Sequence, residues 1–352
     1  DEVWKQAPAG GPLVQVLPHE GAETTQRTDV RFLYDDDNLY IGVWCFDDDP
    51  DGIIAIEMAH DGRIYADDFI DLVLDTFLDR RNGYMFRVNP NGAKGEALIS
   101  DNVSLNESWD CVWSAACAID AEGWKAEIAI PFKSLGFNPD TEVWGFNMFR
   151  QIRRNSEKDR WNAPRAELFT YNVAEAGTLR GLKGLKQGLG LDIVPYVLGK
   201  LRYNNVASDT DVTGDFGGDV RYRITPYLTA SLSYNTDFAE TEVDMRQVNL
   251  TRFPLFYPEK RDFFLEDAGI FRFGGLGSSL MPYYSRRIGL SDDGKVVPII
   301  VAGKVTGRVD QYNIGAVDAL LGEHGGLGAQ NALVVRASRN IFEQSSVGII
   351  GT

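Results

Sequence analysis

Histidine and cysteine are scarce in this chain, with three of each among 352 residues. His19, His60 and His324 form no sequence cluster, which weighs against a Ser–His or Cys–His hydrolase. Cys45, Cys111 and Cys117 show no zinc spacing. Cys111 and Cys117 fall six apart in one expected strand, on one face but roughly 20 Å from each other, too far for a disulfide. A bridge from one of them to Cys45 stays open, but small buried thiols fit better. Basic residues also run short: 35 Lys and Arg stand against 51 Asp and Glu, a formal net charge of −16. Phosphate backbones need a basic face, so nucleic acid is excluded as a partner. An acidic surface suits soluble sugars, divalent cations or an extracytoplasmic setting. No run of 18 apolar residues is present, so no membrane helix is expected. Asp1 opens the chain as if processed, and SSVGIIGT closes it inside an apolar, strand-like run. The expectation is a piece of a longer protein.

Helical periodicity is scarce too, and strand signals fill the gap. Up to about residue 185, short apolar-alternating segments lie between acidic turns: VRFLY, DDDN, LYIGVWCF, then DFIDLVLDTF, GYMFRVN, WDCVWSAACAI, GWKAEIAIPF and WGFNMFRQIRR. This spacing fits a β-sandwich. GLKGLKQGLG at 181–190 is the natural linker. Beyond it, segments lengthen to roughly ten residues of dyad alternation, the weak signature of outer-membrane strands. In TPYLTASLSYN, Leu228, Ala230, Leu232 and Tyr234 share one face, and Tyr227, Thr229, Ser231 and Ser233 the other. A soluble sandwich or barrel would alternate in the same way. VVPIIVAGKVTGRV and YNIGAVDALLG read as a hairpin turning at Asp310. Seven or eight strands are expected, whereas barrel closure normally wants an even number of eight or more. The fold class is therefore all-β, with a sandwich over 1–185 and an incomplete antiparallel barrel of outer-membrane type over 186–352.

Residues 253–267, FPLFYPEKRDFFLED, obey neither period. Pro254 and Pro258 argue against a helix interior or central strand. Irregular backbone at membrane depth is tolerated only inside protein or water. An inward-folded loop is expected, its aromatics on the barrel wall and its charges paired in a polar lumen. An aromatic belt at the lipid interface is the alternative.

Three constellations carry candidate chemistry. In DDFIDLVLD, Asp71 shares a face with Phe69, Val73 and Asp75; in FRVN, Arg87 and Asn89 point the same way. On neighbouring strands these would offer planar donors and acceptors suited to sugar hydroxyls, with Tyr65 and Trp161 as candidate stacking rings. A solvated ion pair and two packing aromatics would read identically. Asp61, Asp67 and Asp68 form an acidic loop of hard oxygen ligands suited to Ca²⁺, although turn chemistry also explains Asp-rich loops. Asp237, Glu240, Glu242, Asp244, Glu259 and Glu266 could include a glycosidase acid pair or simply charge a lumen.

The pieces DEVWKQA, YDDDNLYIGVWCFDDD, DDFIDLVLD, FRVNPNG, GWKAEIAIPFKSL, WGFNMFR and the closing GTLRGL run in an order that resembles the family 9 carbohydrate-binding-module-like domains, related to DOMON domains. The resemblance covers about 185 residues. It implies a β-sandwich that often binds calcium and stacks a sugar between two aromatics. By motif, Trp161 and Tyr65 fall at the stacking positions, and Asp71, Arg87 and Asn89 at polar contacts. Tyr65 departs from the usual Trp. SYNTDFAETEVDMRQVNLTRFPLFYPEKRDFFLED and YYSRRIGL resemble an uncharacterised domain, the domain of unknown function 5916 type. It follows such modules in bacterial envelope proteins and is thought to form an outer-membrane barrel. Together these imply an envelope protein that binds glycan, with outer-membrane lipid around its second domain. A glycoside hydrolase and a non-catalytic structural or transport protein are the rival expectations.

Overall fold

The computed structural model describes residues 2–102, 104–107, 109–204, 209–225, 227–236, 259–273, 281–291, 296–309, 311–323, 328–341 and 345–352. The chain divides into two compact units, Asp1–Gly188 and Leu189–Thr352. Among the described residues, no helix is long and apolar enough to cross a membrane.

The first unit contains β1 (Val14–Leu17), β2 (Thr28–Tyr34), β3 (Asn38–Phe46), β4 (Phe69–Asp75), β5 (Gly83–Val88) and β6 (Lys94–Ser100). It continues with β7 (Ser104–Asn106), β8 (Ser114–Asp120), β9 (Gly123–Pro131), β10 (Val143–Ile152), β11 (Glu157–Arg160) and β12 (Gly177–Arg180). One sheet runs β1-β11-β10-β4-β5-β6-β7, with β12 also on β10; the other runs β2-β3-β9-β8. The expected sandwich is present. Strand alternation sends Ile70, Leu72 and Leu74 of one sheet and Val43, Ile128 and Ile130 of the other into a shared core. The opposite face of the larger sheet is also covered: Val73, Met85 and Phe149 pack with Val173 and Tyr171 from the loop between β11 and β12. That makes β4 buried along its whole length.

Cys45, Cys111 and Cys117 are free thiols. Burial pushes the Cys45 thiol up to about 12, so it behaves as an inert small apolar group. Cys111 does not share a strand with Cys117 as expected. It lies ahead of β8, which begins only at Ser114. The hairpin from β8 to β9 needs Gly123, whose φ is +131° and whose added Cβ would stand 2.2 Å from the Cys45 carbonyl oxygen.

The second unit holds β13 (Leu191–Asn204), β14 (Asp209–Thr225), β15 (Leu228–Tyr234), β16 (Ile299–Val309), β17 (Tyr312–Leu321), β18 (Gln330–Asn340) and β19 (Ser346–Gly351). These seven pair antiparallel in chain order, and among the described residues β13 and β19 do not meet. A closed barrel is therefore not seen, and the all-β expectation is met by an open sheet. The register places Tyr222, Ala230 and Val305 on one face and Arg221, Ser231 and Lys304 on the other. This matches the faces read from TPYLTASLSYN.

The exposed face of this sheet is largely apolar, and its covered face mixes apolar Ala302, Val317, Ala319 and Val334 with polar residues. Its exposed face carries Ile193, Val197, Phe216, Leu232, Leu333 and Ile349, interrupted by Asp318 and Arg339. Its covered face carries buried Ser233, Lys304, Thr306 and Arg336. Residues 259–273 lie against that covered face. Phe263, Phe264 and Phe271 pack with Ala302 and Val317. Lys304 Nζ donates to the carbonyls of Phe263 and Glu266, and Thr306 Oγ1 donates to Asp267 at 2.6 Å. Arg221 pairs with Glu266. Arg261 donates to both Glu259 oxygens, at 2.8 and 2.7 Å, beneath the Phe264 ring. For residues 259–267 the expected packing of aromatics on strands and pairing of charges is present, on one face of an open sheet rather than in a lumen. Residues 253–258 lie outside the described residues.

Candidate functional site

The pairing of β4 with β5 sets Asp71 directly opposite Arg87. Arg87 Nε donates to Asp71 Oδ1 at 2.7 Å, and Nη2 donates to Oδ2 at 2.9 Å. The guanidinium stacks 4.6 Å from the centre of the Phe69 ring. Tyr171 covers the pair: its hydroxyl donates to Asp71 Oδ2 at 2.9 Å and lies against Arg87 Nη2. Phe149 and Phe169 flank Tyr171, with ring centres 5.8 and 5.7 Å away. Burial alone would weaken the Arg87 cation, but the Asp71 carboxylate overrides this and holds it charged. Burial, then the Asp71 charge, raises the Tyr171 phenol, which stays protonated and able to donate.

The remaining predicted contacts lie elsewhere. Asn89 is fully buried. Its Nδ2 donates to the Glu57 carbonyl at 2.9 Å and to Asp67 Oδ2 at 2.8 Å, while its Oδ1 accepts from the Ala93 amide. It ties the 54–68 loop to the turn after β5 and has no amide hydrogen to spare. Trp161 continues β11 opposite Met148, donating its amide to that carbonyl at 3.0 Å. Its ring meets Phe146 edge-on at 5.1 Å and joins the inter-sheet core. The sheet therefore stands between Trp161 and Asp71–Arg87, which corrects the expectation that Trp161 stacks a sugar held by that pair. Tyr65 is 59% exposed on a single turn, Ile64–Ala66. The aromatic that sequence reasoning missed is Tyr171. Its only signal is the F-T-Y spacing 169–171 in a loop, and it lies 100 residues from Asp71.

Asp61, Asp67 and Asp68 do not converge. Asp67 Oδ2 accepts from the amides of Ile56 and Glu57, at 3.0 and 2.8 Å, and its buried Oδ1 has no hydrogen-bond partner. Asp68 Oδ1 accepts from the Arg153 amide at 2.7 Å. Asp61 instead joins His60 and Glu96, the one group of three metal-ligating side chains found among the described residues. The three aspartates thus do not come together as one ligand set for calcium. Of the acids considered for glycoside hydrolysis, Asp237, Glu240, Glu242 and Asp244 lie outside the described residues. Glu259 and Glu266 are engaged by Arg261 and Arg221.

The fold and site define a β-sandwich bearing an aromatic-capped acid–guanidinium pair, followed by an open antiparallel sheet with an apolar exposed face. Residues 188–319 match the family model described as Domain of unknown function (DUF5916). No curated protein matches the chain. Among solved structures, the chain is similar to a carbohydrate binding module family 9 from Caldicellulosiruptor kristjanssonii in complex with cellotriose. Identity is 18%, coverage is 53% of this chain and 87% of that one, and the TM-score is 0.39. The complex of such a module with glucose gives 17%, 53%, 90% and 0.39. A putative carbohydrate-binding protein from Bacteroides uniformis gives 14%, 50%, 87% and 0.41.

Proposed function

We propose that this chain is a carbohydrate-binding protein of the bacterial envelope, its second unit set in the outer membrane and its sandwich capturing glycan. The observation that carries the membrane part is the apolar exposed face of the seven-stranded sheet, set against a covered face that holds buried charged and polar groups. Lipid solvates an apolar exterior, and only the covered face needs to satisfy Lys304, Thr306 and Arg336. A water-soluble unit would instead expose a large apolar patch. The carbohydrate part rests on the sequence resemblance and on the Asp71–Arg87–Tyr171 arrangement. The Tyr171 hydroxyl occupies on Asp71 the place a sugar hydroxyl would take, so a ligand must displace it.

One preparation tests both parts. The whole chain is reconstituted with phosphatidylethanolamine–phosphatidylglycerol vesicles, floated on a density gradient and titrated with soluble glycans, beginning with glucose and cellotriose. The chain should float and resist urea extraction. Tyr171→Ala should tighten glycan binding, and Arg87→Ala should abolish it. A monodisperse chain in buffer without detergent would overturn the membrane reading. No binding in either the parent or Tyr171→Ala would overturn the carbohydrate reading.

A further inference from the structure

We propose that His60, Asp61 and Glu96 form a binding site for a divalent first-row transition metal, with Zn²⁺ as its natural probe. His60 Nε2 lies 3.1 Å from Glu96 Oε2 and 3.7 Å from Asp61 Oδ1. All three donor atoms fall within 4.8 Å of one another. A tetrahedral ion with bonds of about 2.0–2.1 Å places neighbouring ligands roughly 3.4 Å apart, which these separations bracket. One imidazole nitrogen with two carboxylates suits zinc, manganese, iron or cobalt; calcium takes oxygen ligands in larger number.

The site is built before an ion arrives. Glu96 is 2% exposed. Trp113 Nε1 donates to its Oε2 at 2.8 Å, and the Cys111 amide donates to its Oε1 at 3.3 Å. Such outer contacts fix a ligand's orientation. The Asp61 amide donates to the Lys94 carbonyl at 3.0 Å, holding the loop against β6. Negative charge is in excess. Asp110 lies beside Glu96, and Asp110 and Glu107 add to the field at Asp61. The neighbouring ammonium is turned away, because Lys94 Nζ donates to the Trp113 carbonyl at 2.8 Å and rests over that ring. An ion here would fasten the 54–68 loop, which carries Tyr65, to the sheet. The alternative is an imidazolium simply paired with its two carboxylates.

The test titrates Zn²⁺ alone, then Co²⁺, into the chelator-treated whole chain in detergent, following heat, Trp fluorescence and cobalt visible absorption. One ion per chain is expected, with a cobalt spectrum of mixed nitrogen and oxygen ligation. His60→Ala should weaken binding by roughly tenfold or more. That side chain is 40% exposed, so its removal leaves the fold intact, whereas Glu96→Gln sits in packed surroundings. His19→Ala should change nothing. Zn²⁺ should also slow tryptic cleavage after exposed Arg63 in the parent but not in His60→Ala. No saturable binding below about 1 mM, binding unchanged by His60→Ala, or displacement of Zn²⁺ by equimolar Ca²⁺ would each overturn the site.

Discussion

Asp159 is fully buried on the core side of β11, and neither carboxylate oxygen accepts a hydrogen bond from a described group. Burial, followed by the charge of Glu157, pushes its carboxyl up to about 8. Asp75 is likewise pushed up by burial to about 7, although the amides of Asp79 and Arg80 partly offset the effect. In the unfolded chain both groups titrate near the ordinary carboxylate value of about 3.9. Between that value and the folded one, the native state holds protons that the unfolded state has released. The resulting stability is complete below about pH 4 and is lost as pH rises through 7 to 8. The unfolding midpoint of the sandwich should therefore fall between pH 5 and pH 8, by on the order of 5 °C. Asp159→Asn should flatten that fall and raise the midpoint at pH 8. Thermal melts of parent and variant across this range check it, and a parent midpoint that rises with pH would refute the assignment. Little of this was legible in the chain. Asp71 opposite Arg87 follows from period-2 alternation on two adjacent strands. The burial of Asp159 comes from its place on the core side of the sheet, opposite Arg150, and the capping by Tyr171 from a loop folding back over the other face; no local pattern encodes either.

At the scale of elements, strands and faces were legible because alternation is a local property. The β16–β17 hairpin and the two faces of β15 stand as read. Errors arose where chain context decided the outcome. Cys111 falls in the approach to β8, and Trp161 continues β11 on its core side. The inward segment was legible through its disobedience, since a stretch fitting neither period must be held by something else. Its fit is tight at Gly315, where an added Cβ would stand 2.9 Å from both Ile270 and Phe271. Gly315→Leu should expel residues 268–273 from the covered face. The expected cost is about 1–3 kcal/mol from overpacking. Limited proteolysis in detergent should then cut faster after Arg272 than in the parent, where Arg336 Nε holds the Arg272 carbonyl at 3.2 Å. Equal cleavage rates in parent and variant would mean that the segment is not held by this contact.

At the scale of the molecule, the two units differ in what holds them together. The sandwich closes a core between two sheets, with buried titratable groups such as Asp159 at its margin. The second unit folds a face of mixed polarity around residues 259–273 and leaves a largely apolar face outward. Chains whose units have separate cores need not unfold in one step. Two transitions are expected in detergent, each answering to a different perturbation. Raising the pH from 5 to 8 should lower the sandwich transition through Asp159 and Asp75. Gly315→Leu should lower only the other, and so should a change to a shorter-chain detergent, because lipid-like solvation of the exposed sheet face acts on that unit alone. Calorimetry of the whole chain, with the pH and Gly315→Leu scans crossed, makes the comparison. If one transition moves with both perturbations, the two units unfold cooperatively, and no perturbation of the sandwich would leave the second unit unmoved. If the two move separately, occupancy of the His60–Asp61–Glu96 cluster should raise the sandwich midpoint and leave the second unit where it was.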